Sequence, residues 1–412
     1  MPSDWHSKSL GDLLALQRGF DLPSQDRRSG PIPIMGSAGI TGFHDKATTK
    51  GPGVVIGRSG VGSMGVTSFI DRDFWALNTT LFVTDFKGND ARFIYYLLSS
   101  INFRHLDSGS AQASLNRNLV YPVRVVVPPT LDEQKRIAGF LATVESRIDL
   151  LRQTNATLES IAQALFKSWF IDFDPVRAKA EGREPEGMDE ATAALFPAEF
   201  EESALGVIPK GWRAGSIAEL STLNSASWTA RRAPEQVAYV DLAGVKANCF
   251  DPPQRLAFAD APSRARRELR SGDTLVGTVR PGNRSFGYVA EAEPGLTGST
   301  GFAVLSPVAA TSAAFVYLAA TRDENIERLA ALADGGAYPA VRPELVHATA
   351  CVLPLQNVLG VFHAVASPLL ASIAANTQRA RVLVETRDTL LPRLISGKLR
   401  LPEAQAMMES TP

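Results

Sequence analysis

The first candidate for chemistry in this sequence is a glycine-rich stretch. Gly60-Val-Gly62-Ser-Met-Gly65 has the GxGxxG spacing of a dinucleotide-binding loop and follows an apolar run that predicts a strand. A pyrophosphate site would need a helix directly behind the glycines, because the helix N-terminus holds the phosphates. Residues 66–70 instead have the composition of another strand. The sequence therefore predicts a tight glycine turn here and no nucleotide site.

No other residues form a recognisable catalytic or metal-binding set. The motif Asp251-Pro-Pro-Gln254 departs from the Asp-Pro-Pro-aromatic pattern of amino-methyltransferases, because Gln254 cannot stack on a flipped base. We interpret it as a proline turn. Cys249 and Cys351 are the only cysteines, and the five histidines lack HExxH spacing. These counts exclude a disulfide framework and argue against a metal site built from Cys or His.

DNA binding is the chemistry that best suits the polar residues in the Gly/Pro-bounded loops. Arg and Lys neutralise phosphates, and an Arg, Asn or Gln side chain can make two hydrogen bonds to the edge of one purine base. The candidates in the first half are Lys46, Lys50, Arg58, Gln112, Asn116 and Arg117, and those in the second half are Arg231, Arg280, Asn283, Arg284, Tyr338 and Arg342. For each, an ordinary solvated loop position is the alternative. The net charge of −1 conceals an uneven distribution, since residues 1–128 hold 13 basic and 10 acidic side chains whereas residues 187–210 hold 1 and 5.

The elements that would carry these loops occur twice along the chain. The sequence GVVIGR at 53–58 resembles LVGTVR at 275–280, and FIYYL at 93–97 resembles FVYLA at 315–319, both 222 residues later. Leu-Val at 119–120 recurs 226 residues later at 345–346. Short apolar runs between Gly, Asn, Asp and Pro predict strands, with one short helix per copy at Ala91–Ser99 and Ala313–Thr321. We predict two copies of a β-rich unit, each followed by a long helix.

Two heptad patterns predict those long helices. After Pro128-Pro129, Thr130 and Glu133 have the spacing of a capping box, and apolar residues then recur in a 4–3 pattern as far as Trp169. A looser copy lies about 225 residues later, from Phe362 to Leu394. Two such stripes in one chain are most simply buried by antiparallel packing against each other. Asn155 interrupts the first seam, either as a solvated break or as a buried amide that pairs with the other helix to set its register.

The predicted fold is therefore α+β, with two β-rich α/β domains separated by two long helices that pack as an antiparallel coiled coil, related by a pseudo-twofold internal repeat. The chain of 412 residues, 45% apolar and 21% charged, is long enough for this arrangement. We place the boundaries at 1–128 for the first domain, 129–180 for the central helix, 181–210 for an acidic linker, 211–354 for the second domain, 355–400 for the C-terminal helix and 401–412 for a tail.

Several segments resemble the specificity subunits of type I restriction–modification systems. The most specific is ALFKSWFIDFDPVRAKAEGR at 164–183, which is similar to the family's central region. Others are PPTLDEQKRI at 128–137, LGVIPKGW at 205–212 and LLPRLISGKLRL at 390–401. The second helical repeat departs from the pattern, because residues 355–360 lack the Glu-Gln pair. The resemblance covers nearly the whole chain.

The resemblance implies a non-catalytic subunit whose two target recognition domains each bind half of a bipartite site in double-stranded DNA. Its implied partners are two methyltransferase subunits, which use S-adenosylmethionine, and two motor-nuclease restriction subunits, which use ATP and Mg. This chain itself would hold no cofactor. Trp169, Phe170 and Phe173, taken as exposed, would anchor the methyltransferases. No uninterrupted apolar run approaches the ~20 residues that cross a bilayer, and no signal peptide is visible, so we expect a cytoplasmic protein without a membrane segment.

Two other functions stay open at this point. A self-sufficient DNA adenine methyltransferase would transfer a methyl group without partners, and the altered motif at Asp251–Gln254 argues against it. A coiled-coil assembly scaffold would select no DNA sequence at all.

Overall fold

The described residues, 5–60, 62–106, 114–336 and 338–409 of a computed structural model, form two compact units. The first unit contains the described residues up to Asp149 and from Arg379 onward, and the second contains Leu150–Gln378. The division falls inside both long helices, so each unit contains part of each helix. The predicted α+β class, with two β-rich parts and two long helices, is confirmed.

The helices are short except for the two that follow the β-rich parts. In chain order they are α1 (Leu10–Leu13), α2 (Ala91–Ser99), α3 (Arg117–Val120), α4 (Leu131–Phe170), α5 (Asp174–Ala180), α6 (Glu190–Ala194), α7 (Ala313–Thr321), α8 (Asp323–Leu332), α9 (Pro343–His347), α10 (Gln356–Ile395) and α11 (Leu401–Glu409). Single 3₁₀ turns lie at Ser24–Asp26, Phe103–Leu106, Ile217–Glu219, Leu242–Gly244, Pro281–Asn283 and Ala310–Ser312. The two helices predicted at Ala91–Ser99 and Ala313–Thr321 are confirmed as α2 and α7.

The strands of the first unit are β1 (His6–Ser9), β2 (Ala15–Arg18), β3 (Ile32–Gly36), β4 (Gly39–His44), β5 (Gly53–Gly57), β6 (Thr67–Ile70), β7 (Trp75–Ala76), β8 (Thr80–Asp85) and β9 (Arg124–Val127). One sheet has the order β2-β8-β5-β6, a second has the order β4-β3-β7, and β1 pairs with β9. β5 is buried along its whole length, as its continuous apolar sequence requires of a central strand. The strand β6 directly follows the glycine stretch, so the predicted glycine turn is confirmed.

The strands of the second unit are β10 (Phe200–Ser203), β11 (Gly206–Pro209), β12 (Arg213–Ser216), β13 (Ser221–Leu223), β14 (Gln236–Val240), β15 (Val245–Lys246), β16 (Cys249–Phe250), β17 (Gln254–Ala257), β18 (Ala265–Glu268), β19 (Thr274–Gly277), β20 (Phe286–Tyr288), β21 (Leu296–Ser299), β22 (Phe302–Pro307) and β23 (Ala350–Leu353). Their main sheets have the orders β13-β22-β19-β20 and β17-β14-β21-β18, and β12 pairs with β23.

The two units repeat one topology. The sheet β2-β8-β5-β6 corresponds to β13-β22-β19-β20, and the pair β1-β9 corresponds to β12-β23. In the remaining sheets β3 and β14 each pair antiparallel with the next long strand and parallel with a later one. The repeat predicted from the sequence is thus confirmed in strand order, strand direction and the placement of α2 and α7.

Within the first unit, α4 and α10 run antiparallel. Glu145 of α4 lies 3.9 Å from Arg387 of α10. Glu133, nearer the start of α4, lies 3.7 Å from Arg400, which follows the end of α10. Residues such as Leu141 and Leu390 share one buried apolar cluster. The hydroxyl of Thr130 accepts from the backbone N–H of Glu133 at 3.2 Å, so the predicted cap at the start of α4 is present.

Within the second unit the same two helices are also antiparallel. The aromatic ring of Phe166 packs against Phe362 with centroids 6.1 Å apart, and Asn155 bonds to Thr377. The Asn155 amide donates to the backbone oxygen of Ile373 at 3.1 Å and to the hydroxyl of Thr377 at 3.0 Å. The alternative in which Asn155 pairs with the other helix is therefore the one that the structure shows.

The acidic segment 181–210, predicted to be a linker, is folded onto the second unit. It contains α6 and the antiparallel hairpin β10-β11. Phe196 and Ile208 are buried in the core of that unit. The apolar residues dispersed among the charges account for this, since each removes its side chain from water when the segment packs.

α10 is long and apolar enough to cross a membrane by length and composition alone. Polar and charged residues interrupt its apolar sequence, so α10 contains no long continuous apolar run. In the second unit Phe362, Ala366 and Ile373 of this helix are buried in the core. Packing within the unit therefore accounts for part of the apolar composition of this helix, since about 33% of its most apolar stretch is buried.

Candidate nucleic-acid interface

A basic pocket of about 590 Å³ opens in the first unit beside the ends of β2 and β5. Its lining residues are Gln17, Arg18, Arg58, Leu81, Ser114, Leu115, Asn116 and Arg117. Among the lining residues that the structure describes, three are arginines and none is acidic. Such a concave, positively charged surface attracts a polyanion, and its guanidinium groups can bond to phosphate oxygens or to guanine edges.

Arg58 is held at the pocket by backbone contacts on both sides. Its N–H donates to the oxygen of Thr79 at 2.8 Å, and its oxygen accepts from the N–H of Leu115 at 2.8 Å. The guanidinium donates to the oxygen of Asn78 at 3.3 Å. Because Ser59 also bridges to Ser114, the loop after β5 and the segment before α3 form one rigid rim.

Asn116 and Arg117 reach the same pocket from the start of α3. Asn116 is the N-cap of this helix, and its side-chain oxygen accepts from the N–H of Asn118 at 3.0 Å. If the Asn116 amide made two hydrogen bonds to an adenine, its side-chain oxygen would have to leave this cap. Arg117 donates to the oxygen of Leu16 at 3.2 Å, which engages one of the five N–H groups of a guanidinium. Arg117 is therefore better placed than Asn116 to bind a ligand in the pocket.

The other candidates of the first unit lie elsewhere. Lys46 and Lys50 are exposed in the loop between β4 and β5 and do not line the pocket. Gln112 lies outside the described residues. Sequence reasoning missed Gln17 and Arg18, which stand at the end of β2 about forty residues before Arg58. The β2-β8-β5 strand order brings them together, and no sequence signal indicated that order.

The corresponding loops of the second unit meet in the same way but carry different side chains. The N–H of Arg280 donates to the oxygen of Pro339 at 2.7 Å, and the N–H of Val341 donates to the oxygen of Thr278 at 2.9 Å. The Arg280 guanidinium lies over the ring of Tyr338, 4.9 Å from its centroid. Tyr338 is 73% exposed, so this cation–π pair is presented at the surface.

The remaining candidates of the second unit differ in their surroundings. Arg284 pairs with Asp323 at 2.5 Å, which offsets its charge. Asn283 is exposed in a 3₁₀ turn, and Arg342 is exposed at the N-cap of α9. Arg231 is exposed between β13 and β14. All of them stay predictions as DNA contacts.

A further pocket of about 600 Å³ in the second unit was not predicted from the sequence. It is lined by Trp228, Arg232, Ala233, Pro234, Glu268, Leu269, Arg270, Ser271, Ala292, Glu293, Pro294, Gly295 and Leu296. Its two arginines are accompanied by two glutamates, and Arg270 pairs with Glu268 at 3.2 Å. The mixed charge distinguishes this pocket from the basic pocket of the first unit.

The expectation that Trp169, Phe170 and Phe173 are exposed is wrong. Their exposed fractions are 6%, 1% and 6%. The Trp169 ring packs edge-on against Phe196, with centroids 5.1 Å apart. The folded segment 181–210 and the start of α10 cover these rings, so they form core and do not present a docking surface.

A partly buried carboxylate of α4 bonds to each short helix. In the first unit the Tyr96 hydroxyl donates to Glu145 at 2.7 Å, and in the second the Tyr317 hydroxyl donates to Glu159 at 2.7 Å. Glu159 also accepts from the Asn248 amide at 3.0 Å. Burial raises the pKa of the Glu159 carboxyl, while these hydrogen bonds act in the opposite direction. These contacts set how α2 and α7, and the sheets packed on them, are oriented against α4 within each unit.

Comparison with known proteins supports an interpretation in terms of DNA recognition. Residues 2–160 match the family model described as the type I restriction modification DNA specificity domain. The chain is 23% identical to the type I restriction enzyme HindI specificity subunit of Haemophilus influenzae, over 96% of this chain and 100% of that one. It is 24% identical to the MjaIX specificity subunit of Methanocaldococcus jannaschii, over 77% and 71% respectively.

A solved structure has the same fold. The S subunit of a type I restriction–modification system from M. genitalium superposes with a TM-score of 0.59 at 16% identity, over 95% of this chain and 96% of that one. The chain is thus similar to specificity subunits of type I restriction–modification systems in sequence over most of its length. The family resemblance inferred from the motifs at 128–137 and 164–183 is thereby confirmed.

Proposed function

We propose that this chain is the non-catalytic DNA-reading subunit of a type I restriction–modification complex. Each β-rich part would bind one half of a bipartite target in double-stranded DNA. The observation that carries the proposal is the basic pocket around Arg58 and Arg117, which occurs on a scaffold that the chain repeats. A reader of this kind needs rigid recognition surfaces and no chemistry of its own.

The difference between the two sets of loops supports an asymmetric target. The first unit combines Arg58 with Arg117, whereas the second stacks Arg280 on the exposed ring of Tyr338. The same strand order thus presents different hydrogen-bond donors and a different shape. Since base identity is read by donors, acceptors and apolar contacts in the grooves, the two half-sites should differ in sequence.

The partners follow from the class of the complex. We propose that two methyltransferase subunits and two motor-nuclease subunits assemble on this chain in the cytoplasm. S-adenosylmethionine would bind to the methyltransferases, and ATP with Mg would bind to the motor-nuclease subunits. In the described ranges no three His, Cys, Asp or Glu side chains cluster as metal ligands. Within this proposal, methylation and cleavage are carried out by the partners.

Exchanging residues 1–128 for the same region of a relative tests the proposal. Genomic methylation in cells that carry the complete system would be sequenced before and after the exchange. We expect one half-site to change while the other half-site and the spacing stay the same. A change in both halves, or in neither, would contradict the assignment of one half-site to each unit. Methyl transfer to DNA by the purified chain alone would contradict the non-catalytic role.

A further inference from the structure

An edge strand of the first unit presents two large apolar side chains to solvent. β4 is the outer strand of the sheet β4-β3-β7, and Ile40 and Phe43 on it are 55% and 54% exposed. Edge strands usually carry charged or small residues, because exposed apolar side chains there promote association. Two such residues on one short strand therefore indicate a contact surface.

A β-bulge places both side chains on the same face. The pairing of β4 with β3 shifts between Ile34 and Met35, so that Ile40 stands opposite Met35 and Phe43 stands opposite Pro33. Residues 33 and 35 are two apart on β3 and share a face, and their partners across the ladder share it too. Without the bulge, residues 40 and 43 would point to opposite faces.

The tip of the β3-β4 hairpin touches the rim of the basic pocket. The hydroxyl of Ser37 donates to the oxygen of Thr79 at 2.8 Å, and the same oxygen accepts from the N–H of Arg58. A Cβ atom at Gly57 would lie 2.4 Å from the oxygen of Ser37, so only glycine allows this close approach. Ile40 lies on the same hairpin, three residues after Ser37, and does not itself line the pocket.

The second unit shows that the repeated scaffold does not require apolar residues at this position. β17 takes the place of β4, since it pairs antiparallel with β14 at the edge of the corresponding sheet. Its exposed residues include Gln254 and Arg255, which are polar. The apolar face of β4 is therefore specific to the first unit, as a determinant of sequence preference should be.

We propose that Ile40 and Phe43 contact thymine methyl groups in the half-site bound by the first unit. This inference rests on the proposed function, because it assigns a ligand to the surface beside the basic pocket. Thymine is distinguished in the major groove by its 5-methyl group, which binds apolar side chains. Arginines in the pocket would hold the duplex while the hairpin reads the methyl groups.

Duplexes with deoxyuridine in place of thymine test this inference, because deoxyuridine lacks only the 5-methyl group. The target would first be selected from random duplexes by the full chain in complex with its methyltransferase subunits, and the first half-site would be assigned by the exchange of residues 1–128. Affinities would then be measured with thymine and with deoxyuridine in each half-site. The variants are Ile40→Ser with Phe43→Ser, and as a control Leu131→Ser, an exposed leucine at the first residue of α4.

We expect deoxyuridine in the first half-site to weaken binding of the unmodified chain about fourfold per methyl group removed, from about 0.8 kcal/mol per buried carbon. The double variant should bind both duplexes equally, whereas Leu131→Ser should keep the preference. A double variant that still prefers thymine, or a first half-site without thymine, would overturn the inference while leaving the proposed function intact. Loss of methyltransferase association with unchanged thymine preference would instead identify a protein-docking surface. Failure to select any sequence would overturn the proposed function itself.

Discussion

The side-chain amide of Asn155 donates to the hydroxyl of Thr377 at 3.0 Å, which joins the two long helices at a polar point in an otherwise apolar seam. Thr377 in turn donates to the oxygen of Ile373 at 2.7 Å, and Asn155 reaches that oxygen as well. The Oδ1 atom of Asn155 is buried without a hydrogen-bond partner among the described residues. A polar pair of this kind favours one register of two helices over its neighbours, at some expense of stability.

Asn155→Leu should therefore raise the free energy of unfolding, by about 1 kcal/mol, because it replaces an incompletely bonded amide with an apolar side chain. Thr377→Val should lower it by a similar amount, because Asn155 then loses an acceptor. Urea unfolding of the full chain measures both changes. In the Asn155→Leu background, Thr377→Val should have little effect, and additive changes would contradict direct coupling between these two residues.

Arg58→Ala should reduce the salt dependence of DNA binding. If the Arg58 guanidinium neutralises one phosphate, the slope of log K against log salt should become shallower by about 0.9. Arg147→Ala is the matched control, because Arg147 is exposed on α4 and does not line the basic pocket. Titrations at several salt concentrations give both slopes. An unchanged slope with weaker binding to one sequence only would show that Arg58 contacts a base.

Asn116→Ala should destabilise the first unit by about 1 kcal/mol through loss of the N-cap of α3, whereas Asn116→Asp should preserve the cap. Thermal unfolding compares the two variants. If Asn116 acts through the cap, then Asn116→Asp should keep the sequence preference of the complex. Loss of adenine preference in the Asp variant with normal stability would identify Asn116 as a base contact.

Trp169→Ala and Phe170→Ala should each lower the free energy of unfolding by about 3–5 kcal/mol, the range for removing a buried aromatic side chain. Phe170 packs against Phe315 and Phe362, with ring centroids 4.9 and 4.8 Å away. Calorimetry of the full chain measures the loss. Ile171→Ala is the control, since Ile171 is exposed one residue further on. Variants that unfold at the normal temperature but lose their partners would contradict a core role.

Glu159 should make the second unit less stable as the pH rises. Burial raises the pKa of this carboxyl above its ordinary value of 4.5, so the folded state binds the proton more tightly than the unfolded state. Stability attributable to Glu159 is therefore greatest below pH 4.5 and is lost as the pH rises through the folded-state pKa. The free energy of unfolding would be measured for the unmodified chain and for Glu159→Gln across this pH range. We expect the Gln variant to become more stable relative to the unmodified chain as the pH rises.

Tyr317→Phe provides the control for this pH dependence. Its hydroxyl lowers the pKa of Glu159 through a hydrogen bond, so the variant should extend the pH-dependent window upward. If the unmodified chain and Glu159→Gln differ in free energy of unfolding by the same amount at every pH, a raised pKa of Glu159 would be contradicted.

Features encoded by nearby residues were predictable from the sequence. The bounds of α2 and α7 followed from short apolar patterns, and α4 followed from its cap at Thr130 and its heptads. The N-cap role of Asn116 had a local signal as well, since Asn often precedes a helix.

Features that depend on distant segments were not predictable in this way. Trp169 was expected to be an exposed interface anchor, whereas its ring is covered by Phe196 and Phe362, which are distant in sequence. The basic pocket likewise joins Arg18 to Arg117, which are about a hundred residues apart. Such contacts depend on strand order and on which segments fold back, and periodicity within one helix or strand carries no information about either.

The way the chain is divided between its two units also bears on synthesis. The second unit is built from one uninterrupted stretch, Leu150–Gln378, whereas the first needs the strands near the start of the chain and the helical residues after Arg379. As the polypeptide leaves the ribosome, the part made first must therefore wait for the part made last. Until then Leu141 and its apolar neighbours lack the residues around Leu390 that cover them, so the nascent protein is most exposed to aggregation at the end where it began.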